Sequence, residues 1–330
     1  MMRCPPFEYH APRTVAEVTA ILAAEGGRAQ PLGGGTDLVP NMKRRHQNPP
    51  VLVALRRVEG LRDVRPDGAG VRLGAALTLA DLATDPRLRP WRALGAAAGS
   101  VATPHIRNAG TLGGNLCLDT RCNYYNQNEE WRKAIGFCMK KEGDVCWVAP
   151  GSPRCWAVSS TDTAPALIAL GARVVLASRA GDREIPLEAL YHDDGIAYLG
   201  KRPDELLTEV CLGDATGWRS TYWKLRRRGS IDFPVLSVAC ALQLDPGGTI
   251  TSARIVLGAV GSRPVVCAAA DGLVGKPATA ELAEACAVEV SQLAKPLDNT
   301  DFALGWRKKV ARRYVAGALR EVMGLRPSPS

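Results

Sequence analysis

The chain has few aromatic residues and few histidines. Aromatics make up 5% of its 330 residues, and only His10, His46, His105 and His192 carry an imidazole. No two of these histidines stand at metal-ligand spacing, which argues against a histidine-built metal centre. A G-x-S-x-G nucleophile elbow is missing, so the α/β-hydrolase scheme has no support. No apolar run approaches the roughly 18 residues needed to cross a bilayer, and a membrane role is not expected. The first ten residues, MMRCPPFEYH, lack the apolar core of a secretory signal. A cytoplasmic, reducing compartment is therefore the expectation. Lys and Arg number 42 against 33 Asp and Glu, for a net charge of +9. The basic residues are dispersed in short clusters, Lys43–Arg45, Arg226–Arg228 and Lys308–Lys309, without any helix-turn-helix, zinc-finger or RNA-binding signature. Nucleic acid is not the expected partner. An acidic protein or a phosphate-bearing ligand suits this charge better.

Cysteine, in contrast, is plentiful. Ten are present, and five of them, Cys117, Cys122, Cys138, Cys146 and Cys155, crowd one stretch. In a reducing compartment clustered thiols point to metal or redox work rather than to disulfides. The other five are expected to be structural, with Cys211, Cys240 and Cys286 set among apolar residues.

Several elements can be read along the chain. Thr14 and Glu17 form a capping box ahead of the apolar stripe Val15, Val18, Ile21 and Leu22, and Gly26-Gly27 ends the helix. Gln30–Leu32, Val51–Leu55, Val71–Ala75 and Ala172–Ser178 read as extended. Ala93–Val101 reads as a helix, and another starts near Asp162. Between Cys117 and Trp156 periodicity disappears, and so long an aperiodic stretch needs a functional reason. From Asp214–Gly217 onward the strand-like runs Thr221–Leu225, Val235–Leu244 and Ile250–Val260 precede helices at Ala278–Leu293 and Thr300–Met323. Strands followed by helices predict an α+β unit. The tail Leu325–Ser330 reads as a frayed end.

Two glycine-rich loops carry the binding chemistry. Gly33-Gly34-Gly35-Thr36 follows an extended run, and glycines without Cβ atoms let backbone N–H groups approach a phosphate. Taken alone this loop could be a plain turn. A second loop, Ile106–Asn115, again mixes small residues with Thr and Asn. Neither is the G-x-G-x-x-G fingerprint on a βαβ unit, and the Walker lysine is absent. Two such loops together suit a dinucleotide.

The stretches PLGGGTD (31–37), IRNAGTLGGN (106–115), SSTD (159–162) and YWK (222–224), in this order and spacing, resemble the flavoproteins of the xanthine oxidase family. The resemblance covers nearly the whole chain. It implies an α+β fold: a two-lobed FAD-binding domain over residues 1–216 and a C-terminal antiparallel sheet with helices over 217–330, of the carbon monoxide dehydrogenase flavoprotein type. It also implies FAD contacts at Leu32, Gly33, Gly34, Gly35, Thr36 and Asp37, at Thr103, His105, Thr111, Gly114 and Asn115, and at Asp162 and Lys224. Asp162 as a simple helix cap and Lys224 as a solvated strand charge are the plainer alternatives.

The cysteine spacing, C-x15-C-x7-C-x8-C from Cys122 to Cys155, decides little by itself. It lacks the close pairs of zinc knuckles and the tight runs of bacterial ferredoxins. An insertion at 117–156 with the flank LDTRCNYYNQ (118–127) resembles the 4-hydroxybenzoyl-CoA reductase branch of the family. That resemblance implies a [4Fe-4S] cluster on Cys122, Cys138, Cys146 and Cys155, with Cys117 spare, although Cys117 as a substitute ligand stays open. Tyr124, Tyr125, Trp131, Phe137, Trp147 and Trp156 are expected to shield the cluster from water. Implied partners are a large molybdenum subunit, a small subunit with two [2Fe-2S] clusters and a ferredoxin donor, in a dimer of heterotrimers. Electrons would pass from ferredoxin through the cluster and FAD to molybdenum, where 4-hydroxybenzoyl-CoA loses its hydroxyl. Two rivals remain: the flavin subunit of an oxidising molybdenum hydroxylase that uses NAD or a quinone, and a zinc-binding interaction module.

Overall fold

In the computed structural model, which describes residues 3–326, the chain runs β1 (Glu8–His10), α1 (Val15–Glu25), β2 (Ala29–Leu32), α2 (Leu38–Lys43), β3 (Val51–Ala54), β4 (Val64–Asp67), β5 (Gly70–Gly74), α3 (Leu79–Thr84), α4 (Arg92–Ser100), α5 (Pro104–Arg107) and α6 (Leu112–Leu116). It continues through α7 (Glu129–Ala134), α8 (Thr163–Ala169), β6 (Arg173–Ala177), β7 (Arg183–Pro186), β8 (Leu206–Leu212), β9 (Trp218–Leu225), β10 (Leu236–Leu244), β11 (Ile250–Gly258), β12 (Val265–Val266), α9 (Ala280–Leu293) and α10 (Leu304–Val322).

The first helix forms as its sequence dictates. Thr14 Oγ1 accepts from the Glu17 N–H at 3.2 Å, and the Glu17 carboxylate accepts from the Thr14 N–H at 3.3 Å. Gly26, at φ +54°, closes the helix in a left-handed turn that favours glycine. Its Val18 and Leu22 are buried against Val51 and Val53 of a parallel sheet ordered β1-β3-β2. β3 is buried along its whole length, as a central parallel strand should be.

The second lobe is a five-stranded antiparallel sheet, β4-β5-β8-β6-β7. Its central strand, β8, was not legible in the sequence: Thr208 and Glu209 interrupt its apolar run, and its pairing with β5 and β6 supplies the order. The third sheet, β12-β11-β10-β9, is antiparallel. Alternation along β10 explains how it is buried on both faces. Val238, Cys240 and Leu242 enter a core with α9 and α10, while Ala239 and Ala241 join the core of the second lobe. Tyr222 and Val256 cross to that same core.

α10 starts at Leu304 rather than near Thr300, because Phe302 turns at φ +68°. The guanidinium of its buried Arg307 donates to the carbonyls of Val235, Leu297 and Ala259. Further along, a Cβ on Gly317 would lie 2.5 Å from the Trp223 ring. Gly317→Ala is therefore expected to lose about 1–3 kcal/mol of stability to overpacking, more than the roughly 1 kcal/mol that alanine returns in helix propensity. Urea denaturation midpoints check this.

The stretch 117–156 is not wholly irregular, contrary to expectation. It contains α7, capped by Asn128 Oδ1, which accepts from the Trp131 N–H at 2.8 Å. Arg132 of this short helix is buried and donates to the carbonyls of Arg44 and Arg45, just past α2. Asn123 N donates to Asn299 O at 2.9 Å, and Asn299 Nδ2 donates to Trp156 O at 2.7 Å, so the insertion also grips the segment before α10. The expected frayed tail falls outside the described residues from position 327 onward.

Candidate functional site

The two glycine loops are pressed together. A Cβ on Gly33 would lie 2.6 Å from Thr111 Oγ1, and one on Gly34 only 1.8 Å from Ala109 O. Only glycine at 34 lets the backbones meet this closely. Among the described residues none accepts from the backbone N–H groups of Gly34, Gly35 or Thr36. These free donors at the end of β2, just past Leu32, are available to an anionic oxygen. In the second loop Thr103 caps α5, accepting from the Ile106 N–H at 3.3 Å, and Thr111 caps α6, accepting from the Gly114 N–H at 3.2 Å. His105 is exposed on α5.

Some of the expected contacts are already engaged by the protein. Asn115 Oδ1 accepts from Thr161 Oγ1, the Thr163 N–H and Thr163 Oγ1 at 2.8, 3.0 and 2.7 Å. It thereby fixes the segment that carries Asp162. The Asp37 carboxylate accepts from Asn41 Nδ2 at 2.9 Å and pairs with Arg121.

Asp162 does not cap its helix. Its side chain makes no capping hydrogen bond and instead accepts from Tyr222 Oη at 2.7 Å and from Lys224 Nζ at 3.0 Å. Lys224 is not a solvated strand charge either. Both side chains of the pair are 3% exposed, and Lys224 Nζ also donates to Ser100 O at 3.1 Å. Burial raises the Asp162 carboxyl and lowers the Lys224 ammonium from their ordinary values, and their mutual attraction opposes both shifts.

A chamber of about 280 Å³ is lined among others by Arg44, Arg121, Cys122, Ser160, Phe233 and Asn299, and its wall residue Arg121, paired with Asp37, joins it to the first glycine loop. Four buried polar atoms of its lining residues have no hydrogen-bond partner in the protein: Arg121 Nε, Asn126 Nδ2, Ser160 Oγ and Asn299 Oδ1. Sequence reasoning passed over Arg121, Asn126 and Asn299. Arg121 precedes Cys122, but nothing local shows that its side chain turns toward Asp37; Asn126 stays within the insertion, its Oδ1 accepting from the Cys122 N–H.

Cys122, Cys138, Cys146 and Cys155 line one small cavity with Tyr124, Tyr125, Met139, Lys140 and Trp147, and Cys122 also borders the larger chamber. All four cysteines are buried and unpaired. Cys117 lies elsewhere, packed on the core of the second lobe. Of the aromatics expected to shield this place, Tyr124, Tyr125 and Trp147 line the cavity, whereas Trp131, Phe137 and Trp156 do not. Phe137 lies under Arg132 and Trp156 under Arg154.

Burial pushes the Cys122 thiol up to about 12 and the Cys155 thiol up to about 11. Backbone N–H groups of Tyr124 and Tyr125 oppose the rise at Cys122, and the Ala157 N–H donates to Cys155 Sγ at 3.4 Å. Lys140 Nζ, paired with Asp119 at 2.8 Å, also favours the Cys155 thiolate. Among the described residues, no group of three or more His, Cys, Asp or Glu side chains is arranged to hold a metal ion.

Residues 5–212 match the FAD binding domain in molybdopterin dehydrogenase, and residues 220–322 match the CO dehydrogenase flavoprotein C-terminal domain. The FAD-binding subunit PaoB of an aldehyde oxidoreductase from Escherichia coli is 32% identical over 285 residues, 83% of this chain and 87% of that one. The carbon monoxide dehydrogenase medium chain of Hydrogenophaga pseudoflava is 28% identical over 96% of both chains. A solved carbon monoxide dehydrogenase structure from that organism superposes with a TM-score of 0.80 at 27% identity, covering 98% of this chain and 99% of the other. The free N–H groups and the close meeting of the two glycine loops at Gly33 and Gly34 fit what such a domain binds. The chain belongs to the FAD-binding flavoprotein family of the molybdopterin dehydrogenases and is an oxidoreductase subunit.

Proposed function

We propose that this chain is the FAD and iron–sulfur subunit of a molybdenum enzyme of the 4-hydroxybenzoyl-CoA reductase type. The observation that carries this reading is the convergence of Cys122, Cys138, Cys146 and Cys155 on one cavity that shares Cys122 with the chamber walled by Arg121, the partner of Asp37. A tetrahedral zinc ion needs its thiolates within about 2.3 Å of a single centre. A [4Fe-4S] cluster puts each thiolate on a different iron, and so calls for wider-set sulfurs around a shared cavity. N–H groups aimed at sulfur and a nearby lysine supply the hydrogen bonds and charge that tune such a group.

FAD, when bound, exchanges electrons singly or in pairs. Gly33–Thr36 would hold its phosphates through backbone N–H groups, Thr111 lies against Gly33 and caps the helix that carries Gly114, and Thr103 would add a contact from the start of α5. Asp162 and Lys224 form a buried ion pair, tied to the second loop through Asn115, which holds Thr161 and Thr163 on either side of Asp162. Names such as medium chain and FAD-binding subunit among the relatives support assembly with a large molybdenum subunit and a small [2Fe-2S] subunit, in a dimer of heterotrimers. A net charge of +9 suits an acidic ferredoxin as donor, in the cytoplasm. Among the described residues no helix is long and apolar enough to cross a membrane.

Anaerobically purified protein is expected to contain iron and acid-labile sulfide in equal amounts, with a four-iron EPR signal on reduction. Cys122→Ser should lose most of that iron and keep its FAD. Zinc without sulfide, or an unchanged signal in Cys122→Ser, would sink the cluster. A second reading, an oxidising hydroxylase, draws on the dehydrogenase names of the relatives. Turnover of the assembled complex with ferredoxin, against NAD or a quinone, separates the two.

A further inference from the structure

The thiol-bearing insertion meets the flavin scaffold at a narrow neck. Arg121 and Val158 exchange two backbone hydrogen bonds, of 2.8 and 2.7 Å, in an antiparallel bridge. All four cavity cysteines lie between these residues, with Cys122 immediately after one side of the neck. Beyond the neck, Cys122 is held by its own turn. Its N–H donates to Asn126 Oδ1 at 2.9 Å, and its carbonyl accepts from the Asn126 N–H at 2.8 Å.

The Arg121 side chain leaves this neck toward the flavin loop. It pairs with Asp37, the last residue of the first glycine loop, and its Nη1 lies 3.4 Å from Asn41 Oδ1 on α2. Its guanidinium sits 4.5 Å from the centre of the Phe233 ring, and the side chain is only 11% exposed. One residue thus has its backbone in the neck of the insertion and its charge on the phosphate-side loop. An arginine suits this place because its planar fork fixes the direction of a carboxylate, which a lysine ammonium does not.

We propose that Arg121 is a positioning residue that couples occupancy of the Gly33–Asp37 loop to the order of the thiol cavity. Nucleotide phosphate on the free N–H groups of Gly34, Gly35 and Thr36 orders the loop. The ordered loop holds Asp37, Asp37 holds Arg121, and Arg121 holds the neck that sets Cys122. Coupling of this kind is reciprocal, so order in the thiol cavity strengthens nucleotide binding in return. The proposal rests on FAD being held at Gly33–Asp37, and not on what the cysteines ligate.

The test uses the full chain, metal-free and reduced, with and without saturating FAD. Flavin binding is followed by fluorescence, and alkylation of each cysteine by iodoacetamide is read from peptide masses. Cys240, buried in the C-terminal core, serves as the folding control in every sample. In the wild type FAD is expected to slow Cys122 alkylation by about tenfold, within the usual range of coupling between sites. In Arg121→Gln and in Asp37→Asn, with Cys240 still protected, that slowing should fall below about twofold. The double variant should lose no more FAD affinity than the worse single one, as expected of two residues acting as a unit. Arg121→Lys should restore part of the protection. FAD that binds and still protects Cys122 fully in Arg121→Gln overturns the coupling alone. A wild-type chain that binds no FAD overturns the flavin assignment on which it stands.

Discussion

Gly34→Ala is expected to yield protein stripped of flavin, with visible flavin absorbance per chain at least about tenfold below the wild type, a change of roughly 1.4 kcal/mol or more in binding. The added Cβ would lie 1.8 Å from Ala109 O, 2.4 Å from its carbonyl carbon and 2.9 Å from Gly110 N. All three are backbone atoms, so no side chain can swing aside, and the two loops must part. A stability loss above about 4 kcal/mol, the range reserved for severe core or backbone conflicts, should accompany it. Gly151→Ala is the matched control, because nothing lies within 4 Å of its would-be Cβ. Full flavin content in Gly34→Ala would show that the two loops do not form one phosphate cradle.

Asp162→Ala comes next in size. It leaves the Lys224 ammonium and the Tyr222 hydroxyl buried without the carboxylate both now use. Removing one member of a buried ion pair costs about 3–5 kcal/mol, mostly for the charge left behind. The pair itself is worth much less than that, because desolvation opposes its attraction. Asp162→Leu combined with Lys224→Met should therefore be more stable than Asp162→Ala alone. Chemical denaturation of the flavin-free and flavin-bound forms checks both statements. A single variant as stable as the double would mean that Lys224 escapes to solvent, against its present burial.

Local rules carried the sequence reading where local chemistry decides the outcome. The Thr14–Glu17 box, the Gly26 stop, the two glycine loops and the strands around Tyr222, Cys240 and Ile255 all follow from neighbours in the chain. β8 and α7 were missed because each depends on distant partners: β5 and β6 for the strand, and the carbonyls of Arg44 and Arg45 for Arg132. Within the site, cysteine spacing alone did not define a cavity. Cys122 and Cys155 come together because the neck closes far-apart positions, and Arg121 turns back across 84 residues to reach Asp37. No window of sequence short enough to read contains both ends of such a contact.

The neck has a consequence for how such a chain can vary. Arg121 and Val158 already stand as partners in an antiparallel bridge, so a tight hairpin turn would span the gap that the whole insertion now bridges. Lengthening a loop whose ends stay fixed costs little, about 0.6 kcal/mol for each doubling. A scaffold of this kind can change the length of its thiol-bearing segment without re-threading a strand, while Arg121, Asn123 and Arg132 keep that segment tied to the rest of the fold.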